Sequence, residues 1–133
     1  MSDHPVILYD GLCNLCNSSV DFVLRRDTMG CFRFAAFQSR AGKSLIRSCP
    51  NELPPEETII LVYAGRCHIQ SDAVLEILKL LPKGWSLLGR FGFVPRTIRD
   101  RIYDLVSRKR YRWFGMRNVC RISVKGVEDR FLE

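Results

Sequence analysis

The sequence predicts an α/β protein: a four-stranded mixed sheet flanked by helices, with a basic helical extension at its C-terminal end. Three observations carry this. Short apolar runs alternate with stretches of helical periodicity, the pattern of helices laid over a sheet. The last two runs are joined by only Ala64-Gly65-Arg66, so that pair reads as a hairpin and not a crossover. Charge then divides the chain, with 8 Lys/Arg and 9 Asp/Glu in residues 1–82 against 13 and 5 in residues 83–133.

Val6-Ile7-Leu8-Tyr9 is a short apolar run that reads as a buried strand, and Gly11 supplies the turn after it. From Cys16 onward Val20, Val23 and Leu24 recur four, seven and eight positions along, which is helical spacing. Arg25 and Arg26 suit the last turn of that helix, and Gly30 suits its stop. Cys31 to Phe37 is the next predicted strand, with Phe32, Phe34 and Ala36 on one face. Arg40 to Ser48 reads as a short helix, and Pro50, Pro54 and Pro55 make the following stretch a loop. Thr58 to Tyr63 is an almost unbroken apolar strand, which predicts burial on both faces. It turns back into Cys67 to Gln70.

Ser71 is expected to cap a helix that turns Val74, Leu75, Ile77, Leu78 and Leu81 toward the core and ends at Pro82 and Gly84. Strand, helix, strand, helix, strand, strand, helix is the minimal thioredoxin-like arrangement. So few residues precede the first strand that the chain begins as a glutaredoxin does.

Beyond residue 82, Pro95 suits the start of a helix in which Ile98, Ile102, Leu105 and Val106 recur at helical spacing. Arg108-Lys109-Arg110 closes it at the negative end of the helix dipole. Trp113 and Phe114 are expected to anchor the extension, with the arginines solvated around them. No Gly/Ser-rich or Pro-rich linker intervenes. Residues 1–133 are therefore expected to form a single domain, with 1–82 the thioredoxin-like core and 83–133 packed on it. The basic third sets up a field that attracts anionic partners in general, nucleic acid or anionic lipid among them. It carries no signature of a specific nucleic-acid binder.

The chemistry concentrates in Asp10-Gly11-Leu12-Cys13-Asn14-Leu15-Cys16. Two cysteines three apart, where a strand turns into a helix, are spaced for thiol–disulfide exchange. Unpaired amides and the dipole at a helix start favour an anion, and a thiolate is the reactive form of cysteine. Cys13 is expected to be the more exposed sulfur and the nucleophile, with Cys16 the resolving thiol one turn on. Asp10 either holds its own turn or accepts the resolving thiol's proton. Two alternatives stand beside this reading. One is a zinc site, although such a site needs four ligands and Cys67-His68, adjacent in a strand, point to opposite faces. The other is a basic binding module on an inactive scaffold. Dithiol exchange itself requires no metal or organic cofactor.

The remaining cysteines, Cys31, Cys49, Cys67 and Cys120, are scattered singly and are expected to be isolated thiols. Cys31 and Cys67 are placed in strands as small hydrophobes, and Cys120 is a candidate third redox thiol. The N-terminus has no secretory pattern and no apolar run is long enough to span a bilayer, so a cytoplasmic location is expected.

Taken together, these residues make the chain similar to the DCC family of thiol-disulfide oxidoreductases, named for an Asp-Cys-Cys signature that here is Asp10, Cys13 and Cys16. The resemblance continues through Phe37-Gln38-Ser39, Ser71-Asp72-Ala73-Val74, Arg110-Tyr111-Arg112-Trp113-Phe114-Gly115 and Cys120. It implies a thioredoxin-like domain that exchanges disulfides with a disulfide-containing protein or a low-molecular-weight thiol such as glutathione. Thioredoxins and glutaredoxins place a cis-proline before the central strand, where this chain has Thr58. Glutaredoxins also hold a glutathione carboxylate and ammonium at a helix start comparable to Ser71 and Asp72. Thr58, Ser71 and Asp72 are thus the candidate substrate contacts.

Overall fold

Among the described residues eight elements follow one another: β1 (Val6–Tyr9), α1 (Asn14–Arg26), β2 (Arg33–Ala36), α2 (Arg40–Ser48), β3 (Ile59–Tyr63), β4 (Arg66–Ile69), α3 (Gln70–Leu80) and α4 (Arg96–Phe114). The structure is a computed structural model and describes residues 4–27, 30–49, 59–82, 84–85, 87, 93–116, 127 and 130–132. Thr58 and Cys120 lie outside the described residues. The four strands form one sheet in the order β2-β1-β3-β4. β1 runs parallel to β2 and antiparallel to β3, and β3 pairs antiparallel with β4. This mixed sheet with flanking helices has the thioredoxin-like architecture.

Alternation along β1 sorts its side chains between two cores. Ile7 and Tyr9 join Phe34 and Leu61 beneath α1 and α3, where Val20, Val23, Ala73 and Ile77 meet them. Val6 and Leu8 join Ala35 and Ile60 on the opposite face, covered by Leu45 and Ile46 of α2. Neighbours Ile60 and Leu61 are both buried on opposite faces, which is why β3 needs an apolar residue at every central position. Each such side chain contributes about 1.5–3 kcal/mol through burial. α2 lies so close to β2 that a Cβ on Gly42 would sit 1.9 Å from the Ala36 carbonyl oxygen, so only glycine fits there.

Four expectations are corrected by the structure. β2 starts at Arg33, leaving Cys31 outside the strand and exposed. α3 starts at Gln70 behind an Ile69 cap that lends no side chain, and Ser71 is buried in its first turn, its hydroxyl donating to Asp100 of α4. Cys49 and Cys67 are not isolated thiols but a disulfide, with Cα atoms 5.8 Å apart. The topology explains it, because β4 carries Cys67 onto the face covered by α2, and Cys49 is the C-cap of that helix.

The fourth correction concerns α4, whose buried residues are polar while the expected anchors are exposed. Ser107 and Arg110 are buried, while Ile98, Ile102, Leu105, Trp113 and Phe114 are all exposed. The inward partners are polar. Gln70 donates to Asp104 at 2.9 Å, the Ile59 amide donates to the Tyr103 hydroxyl at 3.0 Å, and Arg99 pairs with Asp72 at 3.0 Å. The expected aromatic anchors are thus exposed, and of the arginines expected to be solvated Arg108 and Arg112 are exposed while Arg110 is buried.

The chain's last described residues return to the sheet. The Leu132 amide donates to the Phe34 carbonyl at 2.7 Å, and the Phe131 ring stacks on Phe34 with centroids 5.1 Å apart. Arg130 pairs with the buried carboxylate of Asp27, which also accepts the Cys31 and Phe32 amides. Among the described residues, no helix is long and apolar enough to cross a membrane.

Candidate active site

The dithiol sits where β1 gives way to α1. Cys13 is the N-cap of α1, in extended backbone, and its Sγ accepts the Cys16 amide at 3.4 Å. One of the helix's unpaired amides is thereby satisfied by sulfur, a geometry that favours the anionic form. The turn is held from both ends. The Asp10 carbonyl accepts the Cys13 amide at 3.1 Å, and its carboxylate Oδ1 accepts the Leu12 amide at 3.0 Å. Buried Asn17 donates its Nδ2 to the carbonyls of Gly11 at 3.0 Å and Cys13 at 2.9 Å.

Neither sulfur is in a disulfide, and both residues are buried. Cys13 is not the exposed thiol expected from its place at the helix start. The end of α4 covers it. Cys13 forms an isolated antiparallel bridge with Met116, the Asn14 amide donates to the Gly115 carbonyl at 3.3 Å, and Asn14 Nδ2 donates to the Phe114 carbonyl at 2.9 Å. Gly115 turns the chain with φ of 88°, in the left-handed region, and a Cβ there would stand 2.9 Å from Asn14 Nδ2. The cover therefore depends on glycine.

The two thiols are driven apart in acidity. A hydrogen bond from the Cys16 thiol is the main influence on Cys13. It outweighs burial and, with the Cys16 amide and the Arg110 charge, brings the Cys13 pKa down from 9.0 to about 7. Cys16 moves the other way, raised by its bond to Cys13, by burial and by the nearby negative charge. One sulfur is poised to be a thiolate at neutral pH and the other to keep its proton.

Asp10 is the hub of a buried polar network. Burial works against its ionisation, but hydrogen bonds from Tyr111, Gln38, the Leu12 amide and Arg110 prevail, and its pKa lies below the ordinary 3.8. Gln38 Nε2 donates to Oδ1 at 2.8 Å, the Tyr111 hydroxyl donates to Oδ2, and Arg110 Nη2 lies 3.3 Å from Oδ2. Burial first, then the bond to Asp10, pushes the Tyr111 pKa up to about 12. Gln38 also accepts the Gly11 amide at 3.1 Å, so β2's exit loop and α4 both grip the dithiol turn.

Of the residues singled out in the sequence, Asp10, Cys13 and Cys16 come together here. Ser71 and Asp72 do not join them as open groups: Ser71 donates to Asp100, and Asp72 pairs with Arg96 and Arg99 at 3.0 Å each. α4 thus occupies the start of α3. Arg110, Tyr111, Gln38 and Asn17 are site neighbours that sequence reasoning missed. For Arg110, Tyr111 and Gln38 the signal available was their place inside the segments shared with the DCC family, without any indication of what they touch; Asn17 lies just outside them. Cys16, Leu15, Ile59, Leu75 and Val106 help line an apolar cavity of about 390 Å³ between α1, α3 and α4. No three His, Cys, Asp or Glu side chains among the described residues cluster as metal ligands.

A thioredoxin-like sheet with a Cys-x-x-Cys pair capping its first helix places the molecule in the class of thioredoxin-like dithiol proteins. The particular group follows from comparison. Residues 7–116 match the model of the DCC1-like thiol-disulfide oxidoreductase family, and the chain belongs to that family. It is 33% identical over 127 residues to the uncharacterized protein YuxK of Bacillus subtilis (strain 168), covering 96% of this chain and 93% of that protein. It is 38% identical over 119 residues to a chloroplastic DCC family protein of Arabidopsis thaliana, covering 89% of this chain and 69% of the relative. No solved structure matches the chain. Family membership supports a general thiol–disulfide redox role.

Proposed function

We propose that the chain is a thiol-disulfide oxidoreductase in which Cys13 is the nucleophile and Cys16 the resolving thiol. The observation that carries this reading is the opposed acidity of two sulfurs one helical turn apart, with Cys13 lowered to about 7 and Cys16 raised. The Cys13 thiolate attacks one sulfur of a substrate disulfide. The substrate S–S bond breaks, its other sulfur leaves as a thiolate and takes up a proton, and Cys13 is held in a mixed disulfide. Cys16 then gives up its proton and attacks Cys13 Sγ. The mixed disulfide breaks, the second substrate sulfur leaves as a thiolate that takes up the proton Cys16 gave up, and the Cys13–Cys16 disulfide remains. The substrate gains two electrons and the dithiol loses two. Running the steps backwards oxidises a substrate dithiol.

In this reading Asp10 is a positioning residue and not the proton acceptor. A carboxylate that already accepts four donors and lies below its ordinary pKa is a poor base. It holds the turn and fixes Arg110, whose charge favours the Cys13 thiolate. Ser71 and Asp72 serve to seat α4. The substrate segment, from a disulfide-bearing protein or a small thiol compound, displaces Met116 from its bridge to Cys13, and the apolar cavity beside Cys16 receives its hydrophobic part.

The test is to mix the reduced chain with oxidised glutathione and, separately, with a disulfide-bonded peptide. Mass spectrometry is expected to find a Cys13–Cys16 disulfide in the intact chain and a lasting adduct on Cys13 in Cys16→Ser. An unmodified Cys13 with both reagents refutes the reading.

A further inference from the structure

We propose that the outward face of α4 is a docking surface for an anionic lipid bilayer. The starting point is the reversal described above, in which this helix buries polar residues and presents apolar ones. Ile98, Ile102 and Leu105 follow one another at steps of four and three, and are 51%, 61% and 48% exposed, Ile102 also edging the cavity between α1, α3 and α4. Steps of that size keep side chains on one face of a helix. Eleven residues beyond Ile102, three helical turns on, Trp113 continues the same side of the helix and is 52% exposed. Nineteen residues give a helix of about 28 Å, so the apolar ridge is long and only a few side chains wide.

The charge beside this ridge has one sign. Arg101, Arg108 and Arg112 are exposed beside it, and half-buried Lys109 lies on the ridge between Leu105 and Trp113. The helix's two carboxylates face inward, Asp100 to Ser71 and Asp104 to Gln70. An apolar ridge flanked by arginines, with a tryptophan at one end, is what a helix lying in the headgroup layer of an acidic membrane presents. The long arginine stems reach along the ridge while their heads stay with phosphate. A second copy of the chain is disfavoured, since pairing two such faces would oppose cation to cation. A protein partner is the weaker fit as well. Stable protein interfaces bury about 800 Å² per partner and need matching relief, whereas a bilayer accepts a narrow ridge of any outline.

The experiment is flotation of the full chain with vesicles of phosphatidylglycerol and phosphatidylcholine, and with vesicles of phosphatidylcholine alone. Binding is expected to the acidic vesicles only, and to weaken with added salt. Arg101→Ala/Arg108→Ala is expected to lower it roughly 10- to 30-fold, and Ile98→Ser/Leu105→Ser by at least about tenfold, both with unchanged circular dichroism. These four side chains are exposed and lie outside the dithiol network, so the variants fold. Trp113 fluorescence should be quenched by brominated acyl chains. Failure of the wild-type chain to float, equal flotation by the variants, or retention on a polyglutamate column without flotation would each overturn the proposal, the last in favour of an acidic protein partner.

Discussion

Asp10 and Arg110, a hundred residues apart, form a buried ion pair 3.3 Å long beneath the dithiol turn. One residue directly follows β1 and the other lies near the end of α4, so this pair ties the two elements together. Its removal leaves an unmatched charge where water cannot reach. Arg110→Met is therefore expected to cost about 3–5 kcal/mol in denaturant unfolding. A loss under 1 kcal/mol would mean that Asp10 finds its compensation elsewhere.

The same carboxylate makes a prediction about acid. Asp10 has a folded pKa below its unfolded value of 3.8, so its contribution is complete above that value and disappears as pH falls through the folded pKa. At neutral pH Asp10→Asn should be less stable than wild type, and the difference should shrink progressively below about pH 3.8. Unfolding curves taken across that range check it. A gap that stays constant would show that Asp10 does not titrate against its partners.

Alkylation rates report the dithiol directly. Cys13 should react with iodoacetamide along a profile with its midpoint at about 7, and Cys16 should stay inert. Because the Cys16 thiol is the main influence lowering Cys13, Cys16→Ala should move that midpoint upward toward 9.0. An unmoved profile would assign the acidity to the helix start alone.

Gly115 controls the cover. Alanine there meets an unfavourable φ and crowds Asn14 Nδ2, so Gly115→Ala should loosen the contacts of Asn14 with residues 114 and 115. Cys13 should then alkylate several-fold faster at fixed pH, with at most about 1–3 kcal/mol of global stability lost. Slower alkylation would place the gate elsewhere.

Cys49 and Cys67 close a loop with a sequence separation of 18, which is worth about 3 kcal/mol on loop entropy. Cys49→Ser/Cys67→Ser should lose about that amount while Cys13 keeps its alkylation profile, since the disulfide is packed on the other face of the sheet. A changed profile would show the two faces to be coupled.

Much of this fold could be read from periodicity. The alternation of β1, the helix after Cys16, the hairpin at Ala64-Gly65 and the N-terminal position of Cys13 on α1 are local properties, and local spacing encodes them. What escaped were contacts made across the chain. Nothing near Cys49 announces Cys67, because their meeting depends on where α2 lies on the sheet. The helical spacing of Ile98, Ile102, Leu105 and Val106 marked an apolar stripe, but periodicity does not say which way it turns, and Ile98, Ile102 and Leu105 are exposed. Arg110 looked like one more surface cation at a helix end, and only its pairing with Asp10 accounts for its burial.

The clasp on Asp10 has a consequence for synthesis. A nascent chain that has just left the ribosome with β1 and α1 complete holds both cysteines but neither Arg110 nor Tyr111. Its sulfurs lack both the nearby guanidinium and the cover from Met116. Maturation of the dithiol's surroundings is thus scheduled by translation: fragments ending before residue 110 should keep the Cys13–Cys16 pairing of α1 but lack the guanidinium's share of the acidity and the cover.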